Sequence, residues 1–90
     1  MKTKYKWIRF EELPNPGKKT TTWECKNTSD EFLGDVAWET GWRQYVFTPD
    51  FRALIFNHQC LKDIGDFLEQ LNFNQKIRRE QNGSNKSTDS

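Results

Sequence analysis

The sequence predicts an α+β fold: an antiparallel meander of four to five strands packed by one C-terminal amphipathic helix, with a disordered polar tail. Three observations predict it. Aromatic and β-branched runs recur between turn signals over residues 5–56, and residues 58–72 carry helical periodicity. Beyond Asn72 only Phe73 and Ile77 are large and apolar. Strands without interleaved helices, followed by a single helix, argue for a sheet with the helix laid across one face. Strong curvature would make such a sheet barrel-like, and the sequence leaves that choice open.

The first strand is read over Tyr5–Phe10, which is aromatic and β-branched. Pro14-Asn-Pro-Gly17 is a turn, because proline fixes φ and glycine accepts positive φ. Thr20–Cys25 is the second strand, with Trp23 and Cys25 facing inward. Phe32–Trp38 is the third, with Phe32, Gly34, Val36 and Trp38 on one face. Thr40-Gly41 reads as a two-residue hairpin connection into a fourth strand over Trp42–Thr48, on which Arg43, Tyr45 and Phe47 share a face. A short fifth strand is expected over Ala53–Phe56.

The helix has the sharpest signal. Cys60, Leu61, Ile64, Phe67, Leu68 and Leu71 fall within a stripe of about 120°, the width of a face packed on a core. Asp63 and Asp66 fall on the solvated side. Asn57 is the expected N-cap, and Asn72 marks the expected C-terminal end. Gly65 lies beside the apolar stripe, where a close approach to a strand would explain it. Residues 1–72 are thus one domain, and 73–90 a tail too polar to offset its ordering entropy.

A core of about seventy residues is small, and large rings compensate. Four Trp, seven Phe and two Tyr are available, each able to bury roughly 150–250 Å². Charge nearly cancels, with fourteen Lys and Arg against thirteen Asp and Glu. Residues 1–71 carry ten basic against eleven acidic side chains, a net of −1. The rest adds Lys76, Arg78, Arg79 and Lys86 against Glu80 and Asp89, a net of +2. A protein that binds nucleic acid by neutralising phosphates shows a clear basic excess, so charge does not favour nucleic acid. Two cysteines, no apolar run of membrane-spanning length and no signal-peptide pattern lead to a cytoplasmic expectation without membrane contact.

Chemistry finds little footing. His58 and Cys60 could be half of a nucleophile pair or metal site, but Cys60 belongs to the helix's apolar stripe, where a thiol packs as a small hydrophobe. Cys25, His58 and Cys60 have no recognised zinc spacing. Pro14–Gly17 lacks the lysine and hydroxyl of a phosphate loop. Asp35 is expected near Arg43 or Gln44 as a cross-strand polar pair. No catalytic residue, metal ligand or cofactor is therefore assigned. The candidate binding residues are Trp38, Trp42, Arg43 and Tyr45. Trp, Tyr and Arg anchor protein interfaces, and rings beside a guanidinium also stack nucleobases.

Leu33-Gly-Asp-Val-Ala-Trp38, Trp42-Arg-Gln-Tyr-Val-Phe-Thr-Pro49 and Phe56-Asn-His-Gln-Cys-Leu-Lys-Asp-Ile64 together resemble a signature of small uncharacterised proteins encoded by phages and other mobile elements. The resemblance spans residues 5–72 and is most specific at Trp42-Arg43-Gln44-Tyr45. It implies no catalytic activity. It implies a small intracellular accessory protein of a mobile element. The aromatic and arginine residues of the third and fourth strands themselves suggest a module that binds a host or mobile-element protein. The alternative is a binder of nucleotide or single-stranded nucleic acid that uses the same residues as a stacking platform.

Overall fold

The computed structural model describes residues 1–14, 16–52 and 56–82, with side chains described to residue 78. Four strands form one open antiparallel sheet in sequence order: β1 (Ile8–Leu13), β2 (Thr22–Asn27), β3 (Phe32–Glu39) and β4 (Gln44–Pro49). One helix, α1 (His58–Asn82), follows. The α+β meander with a C-terminal helix is the architecture the sequence predicts, and the sheet is open rather than closed into a barrel. The expected fifth strand, Ala53–Phe56, lies outside the described residues apart from Phe56, which packs its ring edge-on against Phe47 with centroids 5.9 Å apart.

Strand boundaries shift relative to the sequence expectation. β1 starts at Ile8 rather than Tyr5 and runs to Leu13, because the chain folds back before it. The Tyr5 N–H donates to the Ile8 carbonyl at 2.8 Å, the Phe10 N–H donates to the Thr3 carbonyl at 2.8 Å, and Lys4 bridges Arg9. This short return covers part of the outer edge of β1, where unpaired backbone groups would otherwise face solvent. β2 begins at Thr22 rather than Thr20.

The core lies between one sheet face and α1. Ile8, Phe10, Trp23, Cys25, Val36 and Tyr45 point from the sheet; Ile64, Phe67 and Leu71 come from the helix. Phe67 stacks on Phe10 with centroids 4.0 Å apart and meets Trp23 edge-on at 5.0 Å. Phe47 lies over Gly34: a Cβ there would stand 2.6 Å from the Phe47 ring and 2.5 Å from the Thr48 carbonyl oxygen. Glycine is the side chain that lets this ring cross β3.

Asn57 caps α1 as predicted, its Oδ1 accepting the Cys60 N–H at 2.8 Å. Three helix expectations change. Leu61 is exposed, whereas Asp63 is buried and accepts a bond from Gln59 Nε2 at 2.8 Å. The packed stripe is therefore rotated slightly from the one drawn through the apolar residues. Gly65 needs no close approach, since a Cβ there would meet nothing within 4 Å. The helix also continues past Asn72 to Asn82. Residues 73–82 contain neither Pro nor Gly and are rich in Gln, Lys, Arg and Glu, good helix formers that propagate a helix already nucleated by packing.

Candidate functional site

The four residues singled out from sequence separate into two environments. The β3–β4 connection is a four-residue loop, Thr40-Gly41-Trp42-Arg43, closed by the Glu39–Gln44 pair. The Arg43 N–H donates to the Glu39 carbonyl at 2.7 Å, and the Gly41 N–H donates to Glu39 Oε2 at 3.2 Å. Trp42 is 70% exposed at the tip, and Arg43 beside it is exposed. Among the described residues, no ion pair or hydrogen bond holds the Arg43 guanidinium.

The two-residue Thr40-Gly41 turn expected from sequence does not form, and the pairing shows why. With that turn, Trp38 would face Arg43 and Val36 would face Tyr45. The observed register pairs Trp38 with Tyr45 and Val36 with Phe47. Both registers keep the same residues on the helix side, because they differ by two positions and side chains alternate with period two. Only the observed one lifts Arg43 off the core face, avoiding burial of an unpaired guanidinium. The longer loop places its left-handed residue at Arg43, with φ of 57°, and not at Gly41. A left-handed backbone costs a non-glycine residue about 1–2 kcal/mol, so the tip holds strain at the residue carrying its charge.

Tyr45 is core, at 5% exposure. Its hydroxyl accepts the Thr21 N–H at 3.1 Å and lies 3.3 Å from Thr21 Oγ1, which in turn accepts the Trp23 indole N–H at 2.9 Å. Its backbone is gripped by Asn72: the Tyr45 N–H donates to Oδ1 at 2.6 Å, and Nδ2 donates to the Tyr45 carbonyl at 3.3 Å. The Asn72 amide thereby acts as a short piece of neighbouring strand on the edge of β4. Asn72 is a sheet clamp and not the end of the helix. Trp38 is half-buried and meets Tyr45 edge-on, with centroids 5.4 Å apart. Trp42 and Arg43 therefore form an exposed tip, while Tyr45 and Trp38 are its packed base.

Other expected contacts do not form. Asp35 stands opposite Thr48, and neither Arg43 nor Gln44 reaches it across the hairpin. Its carboxyl is pushed up by burial and by the nearby charges of Glu24 and Asp50. Burial, with a smaller contribution from Cys60, raises the Cys25 thiol to about 12, so at neutral pH it is a protonated core side chain. Cys60 is half-buried and His58 exposed at the start of α1. Among the described residues, no group of three His, Cys, Asp or Glu side chains could hold a metal ion. No helix among them is long and apolar enough to cross a membrane.

The structure also brings to this end residues that the sequence pattern places in the tail. Arg78 Nη1 donates to the Lys19 carbonyl at 3.2 Å, and Lys76 follows Asn72 by one helical turn on the same side. The signal for them is a long stretch without Pro or Gly after Gly65. Compared with known protein families, curated proteins and solved structures, the chain matches none.

Proposed function

We propose that this chain is a small non-enzymatic binding module that engages a protein partner through the tip of the β3–β4 hairpin. We take it to act as a cytoplasmic accessory protein of a mobile element, the context implied by the resemblance at Trp42–Tyr45. The observation that carries the reading is Trp42 standing 70% exposed beside Arg43 on a loop whose base is held in the core. Trp and Arg are the residue types that most often dominate interface energetics, and a rigid base lowers the entropy lost on binding.

The non-enzymatic part is supported by chemistry. The buried thiol of Cys25 is protonated at neutral pH, and among the described residues the exposed His58 belongs to no group of three His, Cys, Asp or Glu side chains that could hold a metal ion. The stacking alternative has less support, because Tyr45 is buried and its hydroxyl is engaged by Thr21. A platform would then rest on Trp42 and the half-buried Trp38.

The test immobilises the chain and compares capture of host-lysate proteins and of single-stranded oligonucleotide by wild type, Trp42→Ala and Arg43→Ala. The expected result is a protein captured by wild type and lost with Trp42→Ala at unchanged thermal stability. Capture that survives both substitutions removes the tip as the binding site. Oligonucleotide capture that depends on Trp42 replaces the protein partner with the stacking reading.

A further inference from the structure

The charges of this molecule cancel in number but not in space. On the sheet face away from the helix, Glu11, Glu24 and Asp35 stand in register across three strands. Arg9 and Lys26 lie among them and pair with Glu11 at 2.7 and 3.3 Å. The end of the molecule around Tyr45 gathers more basic than acidic side chains, with Glu39 at the base of its loop. The Tyr45 hydroxyl touches Thr21, two residues from Lys19; its backbone touches Asn72, one turn before Lys76; and Arg43 is two residues away in the loop that enters β4. Arg78 closes the group by its bond to the Lys19 carbonyl. Lys18, Lys19, Arg43, Lys76 and Arg78 are all exposed, as is the indole of Trp42 next to Arg43 in the loop.

Resting on the binding reading above, we propose that the partner presents an acidic segment, seated on the cationic end formed by Lys18, Lys19, Arg43, Lys76 and Arg78, with Trp42 against an apolar side chain of that segment. Complementary charge steers encounter and fixes orientation, while a central aromatic supplies contact energy. A protein segment fits better than a nucleic acid. Glu39 lies at the base of the same loop, held by the Gly41 N–H, and a phosphate chain laid over the tip would meet that carboxylate. A peptide can place a neutral residue there.

The probe is a labelled peptide of alternating glutamate and leucine, titrated against the full chain by fluorescence anisotropy. A lysine–leucine peptide and single-stranded oligothymidine are titrated in parallel. Expected are preference for the acidic peptide, a fall in affinity of about tenfold between roughly 0.05 and 0.5 M salt, and a similar fall with Arg43→Glu/Lys76→Glu. The same charge change at exposed sites elsewhere, Lys6→Glu/Lys62→Glu, should change affinity less than about twofold. Thermal unfolding of each variant shows that the fold persists. Absence of acidic-peptide binding, equal losses in the two double variants, or tighter binding of oligothymidine each overturns the proposal. If partner capture is lost with Trp42→Ala yet insensitive to Arg43→Glu/Lys76→Glu, the tip remains the site and the acidic partner is rejected. If none of these variants alters capture, both readings fall.

Discussion

Arg43 and Tyr45 are two residues apart on one hairpin and have opposite surroundings. Tyr45 is buried, bonded through its hydroxyl to Thr21 and through both backbone groups to Asn72. Arg43 is exposed, left-handed in backbone and tied to Glu39 through its N–H. A binding loop needs both conditions: contact residues left to solvent, and an anchor that prevents the loop from sampling many conformations. The anchor here is shared by three elements, since β2's approach, β4 and α1 all meet at Tyr45.

A second amide makes the same kind of grip elsewhere. Gln70 accepts the Lys2 N–H at 2.8 Å and donates to the Lys2 carbonyl at 2.9 Å, while also donating to the Tyr5 hydroxyl at 2.9 Å. Gln70 and Asn72 are about 200° apart around the helix, so they reach opposite flanks of the sheet. α1 thus ties the N-terminal return on one side and the tip's anchor on the other.

Substitutions that break this contrast should differ widely in effect. Tyr45→Ala is expected to cost about 3–5 kcal/mol, the range for removing a buried aromatic, read as a lowered denaturation midpoint; partner binding should fall with it. Asn72→Ala leaves the Tyr45 backbone groups without their partner and should cost about 1–3 kcal/mol. Chemical denaturation measures that loss, and faster amide exchange at Tyr45 would locate it; unchanged exchange would show that the clamp is not made. Arg43→Gly should stabilise the fold by up to about 1 kcal/mol by relieving the left-handed residue, while weakening binding. Trp42→Ala should leave the unfolding midpoint within about 0.5 kcal/mol of wild type and remove binding. If Trp42→Ala destabilises the fold strongly, the indole is packed and the contrast between tip and anchor is wrong.

The core side also sets a limit in alkali. The folded Cys25 thiol is raised from an ordinary 9 to about 12. An acid group whose pKa is raised by folding contributes stability that is fully present below its unfolded pKa and is lost as pH rises toward the folded value. Stability should therefore decline from about pH 9 upward, and Cys25 should react with a thiol reagent at neutral pH only as fast as the protein opens. Rapid labelling of Cys25 in the folded state would contradict its burial.

Much of the candidate site is legible in the sequence. Trp42 and Arg43 stand out as an aromatic and a guanidinium in a hairpin. Whether Arg43 joins Tyr45 and Phe47 on the core face is not legible there, because both hairpin registers keep the same alternation. The choice between them turns on what Arg43, Tyr45 and Phe47 face across β3 and on the space above Gly34. The cationic end is less visible still. Lys18 and Lys19 precede β2, while Lys76 and Arg78 lie in a stretch whose low hydrophobicity argues against order. Local composition cannot reveal that a helix nucleated by Phe67 and Leu71 will carry such residues onward to the Lys19 carbonyl.

The sequence by itself determined the class of fold, the order of strands and helix, the cap at Asn57 and the inward residues Trp23, Cys25, Ile64, Phe67 and Leu71. Those follow from turn chemistry and periodicity, which are local. The tertiary structure decided the loop length at Thr40–Arg43, the burial of Asp63, the extent of α1 and the grip of Asn72 on β4. Each depends on what a side chain meets across a gap between elements distant in sequence, and that energy is written in the packing of the whole domain.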